Sequence, residues 1–304
     1  MKSPILYLIF ASILLAGSCK DLIHIYKPVP SAQKKNKTHT NAKIADDAPP
    51  SAGENSNMYL GNPSNAQTTR IAKNNYLMDL TYYNLSYNAD RGIANWVSWH
   101  LNKKRLANNT NRSNKFLEFS GLPAAWYQVK PSSYTGSGFD RGHHCPSADR
   151  LTSEAANAST FLMVNVLPQA PNNNQRVWNN FEMYLRKRVE DGDEIYIIMG
   201  SYGQGGSGKL GYANSIDHSR ITVPSNIWKI AVILPEGKND LQRIADGEAE
   251  IIAIDTPNNN DVSASWKSYI VTIRAIERAT GYNFLSELSI RAQDRVETKL
   301  YNAA

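Results

Sequence analysis

The chain has 304 residues, 41% of them hydrophobic, and carries a formal net charge of +6 with only two cysteines. That apolar fraction over that length supplies a sizeable core, which excludes a wholly disordered chain. Two cysteines exclude a disulfide framework as the source of stability. The modest basic charge is compatible with a polyanionic partner and specifies none.

Met1–Ser18 does not read as fold material. Lys2 precedes an apolar run, Ile5–Leu15, which has the length of a signal-peptide core and is too short for a membrane span. Leu15-Ala16-Gly17-Ser18-Cys19 then resembles a lipobox, with Cys19 as the lipidated residue. The expectation is a lipoprotein-type signal over 1–19. The protein is then exported, and is either secreted or held by an N-terminal lipid anchor on a membrane of a bacterial cell envelope. From Lys20 to Thr69 the chain is rich in Ser, Asn, Ala, Pro and Lys and shows no periodicity. Residues 20–69 therefore read as a disordered tether, and 70–304 as the folded domain. With Cys19 lipidated, Cys145 has no intramolecular partner.

Within the domain, Leu77–Tyr87 has the composition of a strand, and Trp96–Leu101 that of a strand or short helix with both tryptophans in the core. Asn108–Asn114 is a polar loop containing Arg112, and Phe116–Phe119 a short extended piece. Pro131–Gly138 has little to bury and leads into Phe139–Arg150, which holds Asp140-Arg141, His143, His144, Pro146 and Asp149-Arg150. Titratable groups beside a Gly-rich loop point to chemistry more than to packing. Ser153–Ala158 is helix-like, and Phe161–Leu167 is a buried apolar run ended by Pro168. Val177, Trp178, Phe181, Leu185 and Val189 recur at helical spacing, which predicts a helix over Gln175–Glu190 with Glu182 and Arg186 on one face. Glu194–Gly200, Ile227–Leu234 and Glu250–Asp255 read as strands, with Gly-rich Gly203–Gly211 between the first two. Thr272 is placed to cap a helix over Ile273–Thr280, which Gly281 stops. Strands and helices are segregated, which predicts an α+β fold with a largely antiparallel sheet.

Asp140-Arg141-Gly142-His143, with Pro146 and Asp149 after it, resembles the Asp-Arg-Gly-His signature of the DNA/RNA non-specific endonuclease family. Downstream, Asn165-Val166-Leu167-Pro168-Gln169, then Asn174, Glu182 and Arg186, keep that family's register. Ile198-Met199-Gly200, Val223-Pro224 with Trp228-Lys229, and Ile276-Glu277 with Thr280-Gly281 extend the likeness from about Leu77 to Leu288. The resemblance implies a ββα-metal (His-Me finger) fold, its mainly antiparallel central sheet flanked by helices. It implies metal-dependent hydrolysis of DNA and RNA to 5′-phosphate ends by a monomer or homodimer. His143 would be the general base. Asn174 would be the one direct protein ligand of Mg²⁺, or of Mn²⁺ in its place, with Glu182 orienting the ion's waters. Arg141, Arg186 and Arg112 would contact the phosphate, Arg112 being matched only by its distance ahead of the motif. Asn165 and Gln169 are implied to contact substrate as well.

The residue types suit that chemistry independently. Histidine titrates near neutrality and can take a proton from water. Mg²⁺ often keeps most of its waters, and a neutral amide ligand leaves its charge undiminished. Arginine supplies permanent charge in a planar fork that fits phosphate oxygens. Taken singly, His143 is also readable as a loop histidine, Glu182–Arg186 as a helix ion pair and Asn174 as a helix cap; their ordered coincidence favours the chemical reading. Asp140 is expected to hold the motif's backbone or Arg141. Asp149, His144, Cys145, His100 and His218 receive no role, and a His144–Cys145 metal pair is disfavoured. Two competing readings are a lipoprotein that binds nucleic acid without cutting it and a phosphodiesterase acting on lipid head groups.

Overall fold

A computed structural model describes residues 47–302. The signal segment, Cys19 and the tether up to residue 46 lie outside the described residues. The rest of the expected tether is a correction: residues 47–69 are packed onto the domain. Leu60 and Ala66 are buried. Ser64 Oγ accepts Trp96 Nε1 at 2.8 Å, the Asn57 carbonyl accepts Ser98 Oγ at 2.5 Å, and Asp47 accepts Thr152 Oγ1 at 2.8 Å. Polar side chains make most of these contacts, so the segment has the composition of a tether and none of its freedom.

β1 (Tyr76–Asp79), β2 (Asn84–Asn88) and β3 (Ile93–Leu101) are successive antiparallel neighbours. The single strand expected over Leu77–Tyr87 is thus a hairpin, turned where Asp79 Oδ1 accepts the Thr81 amide at 2.8 Å. β4 (Asp140–His143) and β5 (Val166–Gln169) form a separate antiparallel pair, joined through α1 (Glu154–Thr160), whose first turn is capped by Ser153. A widened turn, Asn173–Trp178, then opens α2 (Asn179–Glu190). β6 (Asp193–Tyr202) is followed by two small hairpins, β7 (Gly206–Gly208) with β8 (Gly211–Ala213), and β9 (Ser215–Ile216) with β10 (Ile221–Thr222). β11 (Asn226–Pro235), α3 (Asp240–Asp246), β12 (Glu250–Pro257), β13 (Ile270–Val271), α4 (Ile273–Thr280) and α5 (Ile290–Glu297) complete the described chain. As expected, Thr272 caps α4 and Gly281 ends it at φ 74°.

The main sheet has the order β1-β2-β3-β6-β11-β12-β13, and every neighbouring pair is antiparallel. Its central strands bury both faces, so their side chains alternate between two cores. Ile195, Ile197 and Met199 of β6 join one core, and Tyr196 and Ile198 the other. α2 covers the first face with Phe181, Leu185 and Val189; α4 and α5 cover the second with Ile273, Ile276, Ala292 and Val296. Each large apolar side chain so buried contributes roughly 1.5–3 kcal/mol. A charged residue breaks the pattern on the α2 face. Lys229 falls between Ile227 and Ala231 on the α2 face of β11, and it is 0% exposed.

Candidate active site

The site grows from the β4–β5 pair, where Gly142 lies opposite Leu167 and His143 opposite Val166. Gly142 is required by a close approach: a Cβ there would sit 2.2 Å from Gln169 Oε1. Gln169 therefore covers the inside of β4 and passes a hydrogen bond on to Asn173 Oδ1 at 2.7 Å. Asn165 ties the loop after His143, accepting the Cys145 amide at 3.0 Å and donating to the carbonyls of Cys145 and Thr160 at 2.9 Å each. Both side chains are 0% exposed. The expected substrate contacts of Asn165 and Gln169 are therefore corrected to internal supports of the motif, because neither reaches a surface that substrate can touch.

The segment before α2 is expected as ordinary helix from Gln175, but it starts earlier and wider. Asn173 Nδ2 donates to Thr256 Oγ1 and to the Pro257 carbonyl, both at 2.9 Å, which pins the start of the turn to β12. In a regular α-helix two residues eight apart end about 80° out of line, at about 100° per residue. Wide i→i+5 turns advance less per residue. The turn over Asn173–Trp178 thus swings Asn174 toward the face that carries Glu182 and, one turn later, Arg186.

Asn174, Glu182, His143, Arg112, Arg141 and Arg186 line one cavity of about 550 Å³. Asn174 Nδ2 donates to Asp140 Oδ2 at 2.9 Å, beside a second donor, Gln175 Nε2, at 2.8 Å. Asp140 therefore holds Asn174 and not, as expected, the motif's own backbone or Arg141. A carboxylate only accepts hydrogen bonds, so the Asn174 NH₂ faces Asp140 and its Oδ1 is left for a cation. Among the described residues no three His, Cys, Asp or Glu side chains form a metal cage. One free amide oxygen with carboxylates nearby is instead the donor set of a hard cation that keeps most of its waters.

His143 packs between the rings of Phe116, 5.3 Å away, and Phe161, 5.0 Å away. Burial, with the charge of Arg112 and the neighbouring His144, pushes its pKa down to about 3. Arg112 lies 5.0 Å from the centre of the Phe161 ring and donates to Asn114 Oδ1 at 2.7 Å. Arg141 donates twice to the Pro131 carbonyl, at 3.2 and 2.7 Å, and lies 5.4 Å from the Phe116 ring centre. Arg186 pairs with Asp149 at 3.1 Å and sits 3.9 Å from Glu182. Asp149 also accepts Trp99 Nε1 at 3.0 Å, which gives this residue, unassigned from sequence, the task of fixing Arg186.

Sequence reasoning missed Lys229 as a member of the site. Its ammonium pairs with Glu182 Oε1 at 2.8 Å and lies 5.5 and 5.2 Å from the ring centres of Trp99 and Trp178. The available signal was a lysine in the middle of an apolar strand, where only a partner and aromatic faces make the charge tolerable. His144 and Cys145 lie inward. Burial holds His144 down to about 4 and pushes the Cys145 thiol up to about 12, the protonated state that does not bind metal.

Residues 60–290 match the family model described as DNA/RNA non-specific endonuclease. A nuclease from Nostoc sp. is 42% identical over 245 residues, which cover 81% of this chain and 86% of the relative. Mitochondrial endonuclease G from Bos taurus is 29% identical over 216 residues, 69% of each chain. A chain in a crystal structure of the EndoG/EndoGI complex has the same fold, with a TM-score of 0.61 over 77% of this chain and 91% of that one at 21% identity. The match spans the sheet, the β4–β5–α2 unit and the cavity they build, and the chain belongs to the DNA/RNA non-specific endonuclease family.

Proposed function

We propose that this endonuclease hydrolyses phosphodiester bonds in both DNA and RNA, leaves 5′-phosphate ends, and requires Mg²⁺, which Mn²⁺ can replace. The observation that carries the reading is the convergence of a neutral histidine, a fixed amide oxygen, a carboxylate and three arginines on one cavity.

His143 is neutral throughout the physiological range and free to accept the proton of an attacking water. Its Nε2 is buried without a hydrogen-bond partner, so Nδ1 is the nitrogen left to do so. A phosphodiester entering the cavity brings negative charge beside the ring and raises its proton affinity, so the base strengthens when substrate is in place. Arg112, Arg141 and Arg186 bind and neutralise the phosphate. Asn174 Oδ1 would hold the metal and Glu182, fixed by Lys229, would orient its waters; when bound, the ion supplies Lewis-acid stabilisation of the phosphate and the leaving 3′-oxygen. Indifference to base and sugar follows from a cavity whose charged donors address the phosphate backbone.

Plasmid DNA and RNA incubated with the protein and Mg²⁺ should both be degraded, with chelator abolishing the activity and His143→Ala greatly reducing it. The ends should accept a kinase label only after phosphatase treatment. Binding without cleavage would favour a nucleic-acid-binding protein, and cleavage of a lipid phosphodiester alone would favour the phosphodiesterase reading.

We also propose that the protein is exported and that Cys19 carries the lipid anchoring it to an envelope membrane. Cys19→Ala with normal processing should move it to the soluble fraction; retention on membranes would refute the anchor.

A further inference from the structure

A second cavity, of about 390 Å³, opens where β6 ends, on the side of the sheet that carries α4; it shares no residue with the active-site cavity. Arg91, in the turn between β2 and β3, forms its charged wall. The guanidinium is held in place by two carbonyls, those of Ser201 and Gly203, at 3.3 Å each. Neither carries a formal charge. Among the described residues Arg91 has no carboxylate within ion-pairing distance; its neighbour Asp90 is engaged by Lys73 at 2.8 Å and Asn74 at 2.6 Å. Two hydrogen bonds use two of the five N–H donors of an arginine, so three remain. Around them stand Thr222 and Tyr282, whose hydroxyls make no hydrogen bond to any described residue.

A partly buried cation without a counter-charge is costly, and the two hydroxyls beside it are free to donate. An anion that accepts from both the guanidinium and the hydroxyls supplies the missing counter-charge and uses those donors. The planar fork, already oriented by the two carbonyls, suits a phosphate oxygen pair more than a halide. Burial also lowers the Arg91 pKa, as expected of a charge that its surroundings do not balance.

We propose that this cavity is a second phosphate-binding site, in which Arg91, Thr222 and Tyr282 hold a phosphate group away from the catalytic cavity. The phosphate belongs either to the backbone of a bound nucleic acid or to a free nucleotide or inorganic phosphate. The backbone source rests on the nuclease reading above; the free source does not.

The test uses the full chain carrying His143→Ala, with and without Arg91→Gln. Duplexes of six and thirty base pairs are bound across a salt series, and inorganic phosphate and a 5′-mononucleotide are titrated calorimetrically. A backbone phosphate at Arg91 predicts that Arg91→Gln lowers the log–log salt slope by about 0.9 for the long duplex and leaves the short one unchanged. A free phosphate predicts an unchanged slope and the loss of one binding event in the titrations. If neither changes in a folded variant, the site is overturned. Should Arg91→Gln fail to fold, the pair Thr222→Val and Tyr282→Phe keeps the cation and removes two donors. A several-fold weakening of either binding then supports the site, and unchanged binding overturns it. Cleavage of plasmid by the His143 parent is scored separately, so a failed nuclease reading is not mistaken for a failed phosphate site.

Discussion

The front and the back of the active-site cavity are built on opposite electrostatic rules. At the front, Arg112 and Arg141 are held by neutral groups: aromatic rings, an amide and a backbone carbonyl. At the back, the carboxylates are engaged. Lys229 pairs with Glu182, Asp149 with Arg186, and Asp140 takes the amide of Asn174. Two of the three arginines proposed to meet the phosphate thus keep their charge uncancelled, while the third, Arg186, and the residues proposed to position the metal are tied from behind. A site assembled from front residues alone would have the right charges and no fixed geometry.

The sharpest test of the front is His143→Ala. Activity should fall by roughly two to four orders of magnitude, the range of positioned general acid–base catalysis. Mg²⁺ affinity should be unchanged if, as proposed, Asn174 and not His143 holds the ion. Single-turnover cleavage beside a metal titration separates the two; loss of metal binding in this variant would contradict the division between front and back.

Lys229→Met tests the back. Removing one partner of a buried ion pair costs up to about 3–5 kcal/mol, lessened here because Glu182 lines the cavity and keeps Arg186 at 3.9 Å. Denaturant melts should show that loss, and Lys229→Arg, which keeps the charge but crowds the tryptophans, should recover only part of it. A melt unchanged by Lys229→Met would mean that Glu182 is held from the solvent side.

Asp140→Ala should be milder. It frees the Asn174 amide to rotate, and metal affinity should fall by about ten- to a hundredfold, as for other supports of a metal ligand. Excess Mg²⁺ should then recover much of the rate. If it does not, Asp140 acts on something besides Asn174.

The smallest effect per step is in pH. His144 is held to about 4 in the folded chain, chiefly by burial, against about 6.5 when unfolded. Between those values the unfolded chain binds a proton that the native chain refuses. The contribution is therefore complete above about pH 6.5 and is lost on acidification toward 4, at about 1.4 kcal/mol per pH unit. Urea melts at pH 6.5, 5.5 and 4.5 should show a slope that His144→Asn makes shallower by that amount. The acid limb of kcat/KM should likewise lie well below the ordinary histidine range, since His143 is held to about 3 in the free enzyme.

Much of the fold was legible because its signals are local. The short β-branched runs of β6, β11 and β12, bounded by Gly, Pro or Asn, and the stripe Phe181, Leu185, Val189 place the sheet and α2 within a few residues. Residues 47–69 were not legible, because Asn57 and Ser64 reach β3 through polar bonds that have no period. For Asn165 and Gln169 the motif was recognised correctly and their orientation was not, since a side chain's direction out of a two-stranded pair depends on what packs behind it.

The sequence by itself determined which chemical groups the site contains. His143, Asn174, Glu182 and Arg186 sit in a recognisable order, and an ordered motif survives any arrangement of the rest of the chain. Only the tertiary structure decided that they face one another. Asn174 lines up with Glu182 because a bond across 83 residues, Asn173 to Thr256, anchors the start of the widened helical turn. Glu182 is held because a strand 47 residues further on delivers Lys229 beneath it. Both contacts join residues far apart in the chain, where local propensity carries no information and the packing of α2 on the sheet makes the choice.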